Sequence, residues 1–124
     1  MDKNILIVDD SGVMRKIITN ALSQMGLTDV VPAEDGAQAV EAVQNHQDIG
    51  LILLDWNMPN KSGLEALQEI RGDGNKVPVI MVTTEAEKQR VVEAVKAGAN
   101  NYIVKPFTPD VVQKKIKDTC PDLA

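Results

Sequence analysis

Leu51-Ile52-Leu53-Leu54-Asp55-Trp56-Asn57-Met58-Pro59 is the stretch on which the fold turns. Four consecutive apolar residues, then a carboxylate, then a proline, match neither an amphipathic helix nor a half-exposed strand. They read as a short strand buried on both faces that leaves its sheet at a charge. The same grammar recurs in both directions along the chain. Ile5 to Val8 runs into Asp9-Asp10, Val77 to Val82 into Thr83-Thr84, and Tyr102 to Val104 into Lys105-Pro106. Val30-Val31, between Gly26 and Gly36, is a weaker fifth run.

Between these runs the apolar residues recur every three to four positions, the period of a helix. Met14, Ile17, Ile18, Ala21, Leu22 and Met25 line one face of a first helix, with Gly26 as its stop. Ala39, Val40 and Val43 mark a second, Leu64, Leu67 and Ile70 a third, and Val91, Val92 and Val95 a fourth closed by Gly98. Thr84-Glu85-Ala86-Glu87 fits a capping box opening that fourth helix. Val112 and Ile116 mark the fifth, behind Thr108-Pro109, an N-cap followed by proline at the first helical position. Five β-α units in strict alternation predict an α/β fold, a parallel sheet with helices on both faces. Alternation alone does not decide the strand order.

The chain has 124 residues, suited to one domain over 1–124 with no output domain beside it. Its aromatics are Trp56, Tyr102 and Phe107, so the core is aliphatic and stacking platforms for single-stranded nucleic acid are excluded. With 13 basic against 18 acidic side chains, the net charge of −5 opposes binding to nucleic acid or to an anionic membrane. Cys120 stands alone, so neither an internal disulfide nor a cysteine metal cluster can form. The longest apolar stretch is too short to span a bilayer, and Asp9-Asp10 breaks the N-terminal run before it resembles a signal peptide. A cytoplasmic, monomeric protein is expected.

In open parallel sheets, ligands bind at the carboxyl ends of the strands. Here those ends carry Asp9, Asp10, Asp55, Thr83 and Lys105. Neighbouring strands lie roughly 4.8 Å apart, so adjacent ends share one pocket. Two carboxylates about 5 Å apart at an effective dielectric near 20 repel by roughly 3 kcal/mol, a cost that folding does not require. Each residue has an ordinary structural role open to it: Asp10 or Ser11 can cap the first helix, Asp55 a turn, Thr84 the fourth helix, and Lys105 can be a solvated lysine. Three acids, a hydroxyl and a lysine at one edge are harder to explain that way. Carboxylates with carbonyl and water oxygens suit Mg²⁺. A carboxylate can also attack phosphorus to form an acyl phosphate, with a metal, a lysine and a hydroxyl neutralising the transferred group.

The segments Ile7-Val8-Asp9-Asp10, Ala33-Glu34-Asp35-Gly36, Leu54-Asp55-Trp56-Asn57-Met58-Pro59, Met81-Val82-Thr83 and Val104-Lys105-Pro106-Phe107 span nearly the whole chain. In order and spacing they resemble the response-regulator receiver domains, and most closely the single-domain chemotaxis members of that family. The resemblance implies a doubly wound, flavodoxin-like five-stranded sheet of order 2-1-3-4-5. It implies that Asp55 accepts a phosphoryl group from a histidine kinase. Mg²⁺ would bind Asp10, Asp55 and the carbonyl of Asn57, with Asp9 acting through a water. Lys105 and the Thr83 hydroxyl would contact the phosphoryl group, and the Asn57 and Glu85 side chains would tune its hydrolysis. Thr83 and Tyr102 would form the switch that alters a surface of the fourth helix, fifth strand and fifth helix toward a partner. Such a protein catalyses only its own phosphorylation and dephosphorylation. The implied partners are a flagellar motor switch protein and a phosphatase, and the Lys105-Pro106 bond is usually cis. Three places depart from the pattern: Lys61-Ser62-Gly63, which affects only the start of the third helix, Thr84, whose bulk lies beside the pocket, and Cys120-Pro121, which ends the fifth helix early.

Other classes fit less well. A single-domain phosphorelay intermediate would share the same pocket. A phosphatase of the haloacid-dehalogenase type needs a second acid two residues after the nucleophile, where this chain has Asn57. A flavodoxin-like electron carrier needs a phosphate loop where Asp9-Asp10 would repel phosphate, and more aromatics than three. His46, the one histidine, falls near the end of the second helix and reads as an exposed bystander.

Overall fold

The computed structural model describes residues 4–46, 48–84 and 88–123. Five strands and five helices alternate along the chain: β1 (Asn4–Val8), α1 (Gly12–Ser23), β2 (Val30–Ala33), α2 (Gly36–Asn45), β3 (Ile49–Asp55), α3 (Gly63–Gly72), β4 (Val79–Thr83), α4 (Lys88–Ala97), β5 (Asn101–Val104) and α5 (Pro109–Thr119). All strand pairs are parallel and the order is β2-β1-β3-β4-β5. The expected doubly wound sheet of order 2-1-3-4-5 is the observed one. No helix among the described residues is long and apolar enough to cross a membrane.

The continuous apolar runs are divided by the strand period of two. Leu6, Val8, Ile52, Leu54, Val79 and Met81 point to one face, where Ala39, Leu67, Ile70 and Ala94 of α2, α3 and α4 cover them. Ile5, Ile7, Leu51, Leu53, Ile80, Val82 and Ile103 point to the other, covered by Ile18 and Leu22 of α1 and Val112 and Ile116 of α5. β2 is a sheet edge, which is why it tolerates Pro32 and reads weakly in the sequence.

Helix ends follow their local chemistry. The Ser11 hydroxyl accepts from the Met14 amide and caps α1. At its other end the Leu27 amide reaches the Leu22 carbonyl and Gly26 that of Ser23, with Gly26 at φ +82°. That is the left-handed cap for which glycine has no steric penalty, as expected of Gly26. Ser62 and Glu65 form a full capping box at α3, so the departure at Lys61-Ser62-Gly63 supplies a cap. Thr108 occupies the N-cap of α5 ahead of Pro109 but makes no side-chain cap bond. The capping box expected at Thr84-Glu85-Ala86-Glu87 lies outside the described residues, apart from Thr84.

Two apolar stripes differ from expectation. Ile17, placed on the inner face of α1, is 41% exposed, while Ile18, Ala21 and Leu22 are buried. In α4 the buried residue is Ala94, and Val92 and Val95 are 41% and 62% exposed. A helix with apolar residues on two adjacent stripes does not state which one faces the sheet. Packing decides, and at α4 the inward position is the smaller Ala94.

At the edge opposite the strand carboxyl ends, Arg71 ties three segments together. Its guanidinium donates to the Gly98 carbonyl (2.8 and 3.1 Å), the Asn75 carbonyl (3.0 Å) and Asn100 Oδ1 (3.1 Å). Asn100 Oδ1 also accepts from the Val79 amide at the start of β4. Removing the guanidinium leaves half-buried carbonyls without their donor. Arg71→Ala is therefore expected to cost about 2 kcal/mol in urea unfolding, and a loss under about 0.5 kcal/mol would refute the role.

Candidate functional site

Five strands of parallel sheet deliver their last residues to one edge. Asp9 follows β1, Asp55 ends β3, Thr83 ends β4 and Lys105 follows β5. Asp9, Asp55 and Thr83 are buried, and Asp10 is exposed at the rim. Because β1 and β3 are neighbours, one carboxylate oxygen from each of Asp9, Asp10 and Asp55 can lie within 4.8 Å of the others. Lys105 reaches over from the far side of β4, its Nζ 3.0 Å from Asp9 Oδ2 and 3.2 Å from Asp55 Oδ1. Its backbone is held by a bond from its amide to the Thr83 carbonyl (2.7 Å), and the Lys105–Pro106 peptide is cis.

The electrostatics follow from this crowding. Burial, and then the charge of Asp9, push the Asp55 carboxyl up to about 6, against the opposing pull of Lys105. Burial alone would lower Lys105, but its bonds to Asp9 and Asp55 and their charges outweigh that and hold it above its ordinary value. The ammonium thus stays charged. Three carboxylates and one ammonium leave the pocket two negative charges in excess, all carried on oxygen, which is the donor chemistry of a hard divalent cation. The residues present fit Mg²⁺.

The remaining expected residues are placed around this centre. Asn57 is exposed two residues beyond Asp55, and Thr84 is exposed beside Thr83. Tyr102 is partly solvent-exposed, with Lys115 Nζ 4.7 Å from its ring centroid. Glu85 lies outside the described residues. His46 is exposed at the C-cap of α2, on the way into β3 and away from the acidic edge, as expected of a bystander.

Two contacts at the site had no place in the reading of the sequence. Arg90 of α4 lays its guanidinium 5.0 Å from the centroid of the Trp56 ring, a cross-element contact with no local sequence signal. Asp35 is buried and caps α2, accepting from the Gln38 amide (2.8 Å) and from Asn60 Nδ2 (2.7 Å). Its cap position ahead of Ala39 and Val40 was visible in the sequence as an acid before a helical run. Its bond to Asn60 was not. The Gln38 amide, and then Asn60, hold the Asp35 carboxyl below the usual range.

Residues 5–117 match the family model of the response regulator receiver domain. The chain is 47% identical to the chemotaxis protein CheY1 of Helicobacter pylori over 115 residues, covering 91% of this chain and 93% of the relative. It is also 47% identical to the chemotaxis protein CheY homolog of Campylobacter jejuni over 116 residues, covering 92% and 89%. Among solved structures, chemotaxis protein CheY4 of Vibrio cholerae superposes with a TM-score of 0.88 at 30% identity, covering 96% of this chain and 99% of that one. The CheY of the CheX–CheY–BeF3–Mg²⁺ complex from Borrelia burgdorferi superposes with a TM-score of 0.88 at 32% identity, covering 94% and 87%.

Proposed function

The chain belongs to the response regulator receiver domains and is a CheY-like signalling protein, and from that premise we propose that Asp55 takes a phosphoryl group from a phosphohistidine donor. The observation that carries this reading is the Lys105 ammonium bonded to both Asp9 and Asp55 at one sheet edge. An Asp55 oxygen attacks phosphorus in line, the P–N bond to the donor breaks, and the leaving imidazole keeps its electron pair and takes a proton. Lys105 moves from carboxylate to phosphoryl oxygen and neutralises charge there. Thr83, at the end of β4, donates its hydroxyl to another of those oxygens. Mg²⁺, when bound by Asp10, Asp55 and the Asn57 carbonyl with Asp9 through water, supplies the remaining charge neutralisation.

The outcome is a change in partner affinity. Thr83 drawn toward the phosphoryl group opens space for the Tyr102 ring, which in this structure stands outside beside Lys115. The face of α4, β5 and α5 that carries Val92, Val95 and Tyr102 then presents a different surface to a flagellar motor switch protein in the cytoplasm. A phosphatase completes the cycle, and the Borrelia relative's complex with CheX indicates one kind of partner to try. The Asn57 side chain and Glu85 set the rate of hydrolysis.

The test is phosphate uptake. With Mg²⁺ and acetyl phosphate or a phosphohistidine kinase, mass spectrometry should find one phosphate per chain, labile to base. The Asp55→Asn protein should take up none. Uptake undiminished in that variant would refute the assignment of the acceptor.

A further inference from the structure

Asn57, whose carbonyl is the proposed backbone ligand, sits in the loop between β3 and α3, outside any regular element. On the near side that loop is fixed by the Trp56 amide bonded to the Val82 carbonyl and by the Trp56 carbonyl accepting from Gly63. On the far side stands Asn60, at φ +67°, a left-handed region that Asn and Asp enter more readily than other residues with a side chain. Asn60 is held there by the Lys61 amide bonded to the Pro59 carbonyl around it (2.7 Å) and by a bond from its Nδ2 to Oδ2 of Asp35, 25 positions earlier. The other Asp35 oxygen accepts from Gln38 and is thereby held by α2 itself. Contact between the two elements is close. The Gly36 amide donates to the Lys61 carbonyl at 3.1 Å, and a Cβ on Gly36 would stand 2.5 Å from that oxygen.

We infer that Asp35 is a positioning residue for the metal site: through Asn60 it braces the far end of the loop that holds the Asn57 carbonyl. This rests on the metal-site reading given above. Mg²⁺ demands near-ideal octahedral placement of its ligands, and partners that orient a ligand commonly carry a tenfold or greater share of metal affinity. With the brace gone, the far side of the loop keeps the Gly36–Lys61 backbone bond but loses its side-chain hold at Asn60.

The pair can be separated from the helix cap. Asn60→Asp sets a carboxylate against the Asp35 carboxylate with no donor between them and leaves the Gln38 bond in place. Adding Asp35→Asn restores a donor facing an acceptor and keeps an oxygen for the Gln38 amide, and Asp tolerates the left-handed conformation. Asn60→Gly removes the bond while leaving α2 untouched and accepting φ +67°. Mg²⁺ is titrated into each protein, following the fluorescence of Trp56, the chain's one tryptophan. Asn60→Asp and Asn60→Gly should each bind Mg²⁺ about tenfold more weakly than wild type. The Asp35→Asn/Asn60→Asp protein should return to within about twofold. Wild-type affinity in the single variants, or no recovery in the double one, overturns the inference. A wild-type protein that binds no Mg²⁺ by calorimetry overturns the metal site itself, and this inference with it.

Discussion

Gly63→Ala is expected to lose about 3 kcal/mol or more of unfolding free energy, the largest effect of any small substitution near the site. Gly63 is the first residue of α3, and its amide donates to the Trp56 carbonyl at 2.9 Å. A Cβ there would overlap the carbonyl oxygen of Asp55 and stand 2.9 Å from its carbonyl carbon and 3.1 Å from the Trp56 Cα. These are backbone atoms at the end of the central strand, which has buried neighbours on both sides. Relief therefore requires α3 to withdraw or the Asp55 backbone to move, and the second disturbs the acidic pocket. Gly72, in the last turn of the same helix, has open space where its Cβ would be. Gly72→Ala is the control and should change stability by less than about 1 kcal/mol, toward greater stability. Urea unfolding measures both. Equal effects of the two substitutions would show that close approach at Gly63 is not what requires glycine.

Asp55→Asn should make the Mg²⁺-free protein more stable at neutral pH by about 2 kcal/mol, an unusual sign for a change at a buried site. The Asp55 carboxyl is pushed up to about 6, above an ordinary carboxyl, which the unfolded chain approximates. Between pH 4 and 6 the folded state therefore holds a proton that the unfolded state has released. Stability falls as pH rises through that window and is recovered as pH falls through it. Replacing the carboxylate by an amide removes this penalty, and Lys105 keeps its bond to Asp9. The gain should be present at pH 7 and absent near pH 4, read as the difference in melting temperature between the two proteins. Millimolar Mg²⁺ should reverse the order at pH 7, because it stabilises the wild type by binding the folded state. A pH-independent difference, or a wild type indifferent to Mg²⁺, would refute the electrostatic origin of the effect.

The strand-and-helix alternation, the parallel sheet and the acidic edge were all legible in the sequence. Continuous apolar runs ending in Asp, Thr or Lys have few structural alternatives, and backbone geometry then puts every strand's last residue on the same side. Family resemblance added the strand order, and β1 beside β3 is what brings Asp9 and Asp55 together. Less was legible where contacts join residues far apart in the chain. The bond of Asp35 to Asn60, the Arg71 clamp and the Arg90–Trp56 contact leave no periodic mark, because each depends on how two elements are set against one another.

What the sequence determined by itself is therefore what local rules govern: apolar period, a cap for the first helix at Asp10 or Ser11, the glycine stops, and the chemistry available at the strand ends. Tertiary structure decided which of two apolar stripes faces the sheet, leaving Val92 and Val95 outside and Ala94 within. It also decided how far burial and a neighbouring charge raise Asp55, and where Lys105 reaches. Both are matters of distance through a low-dielectric interior, and such distances exist only once the strands have paired.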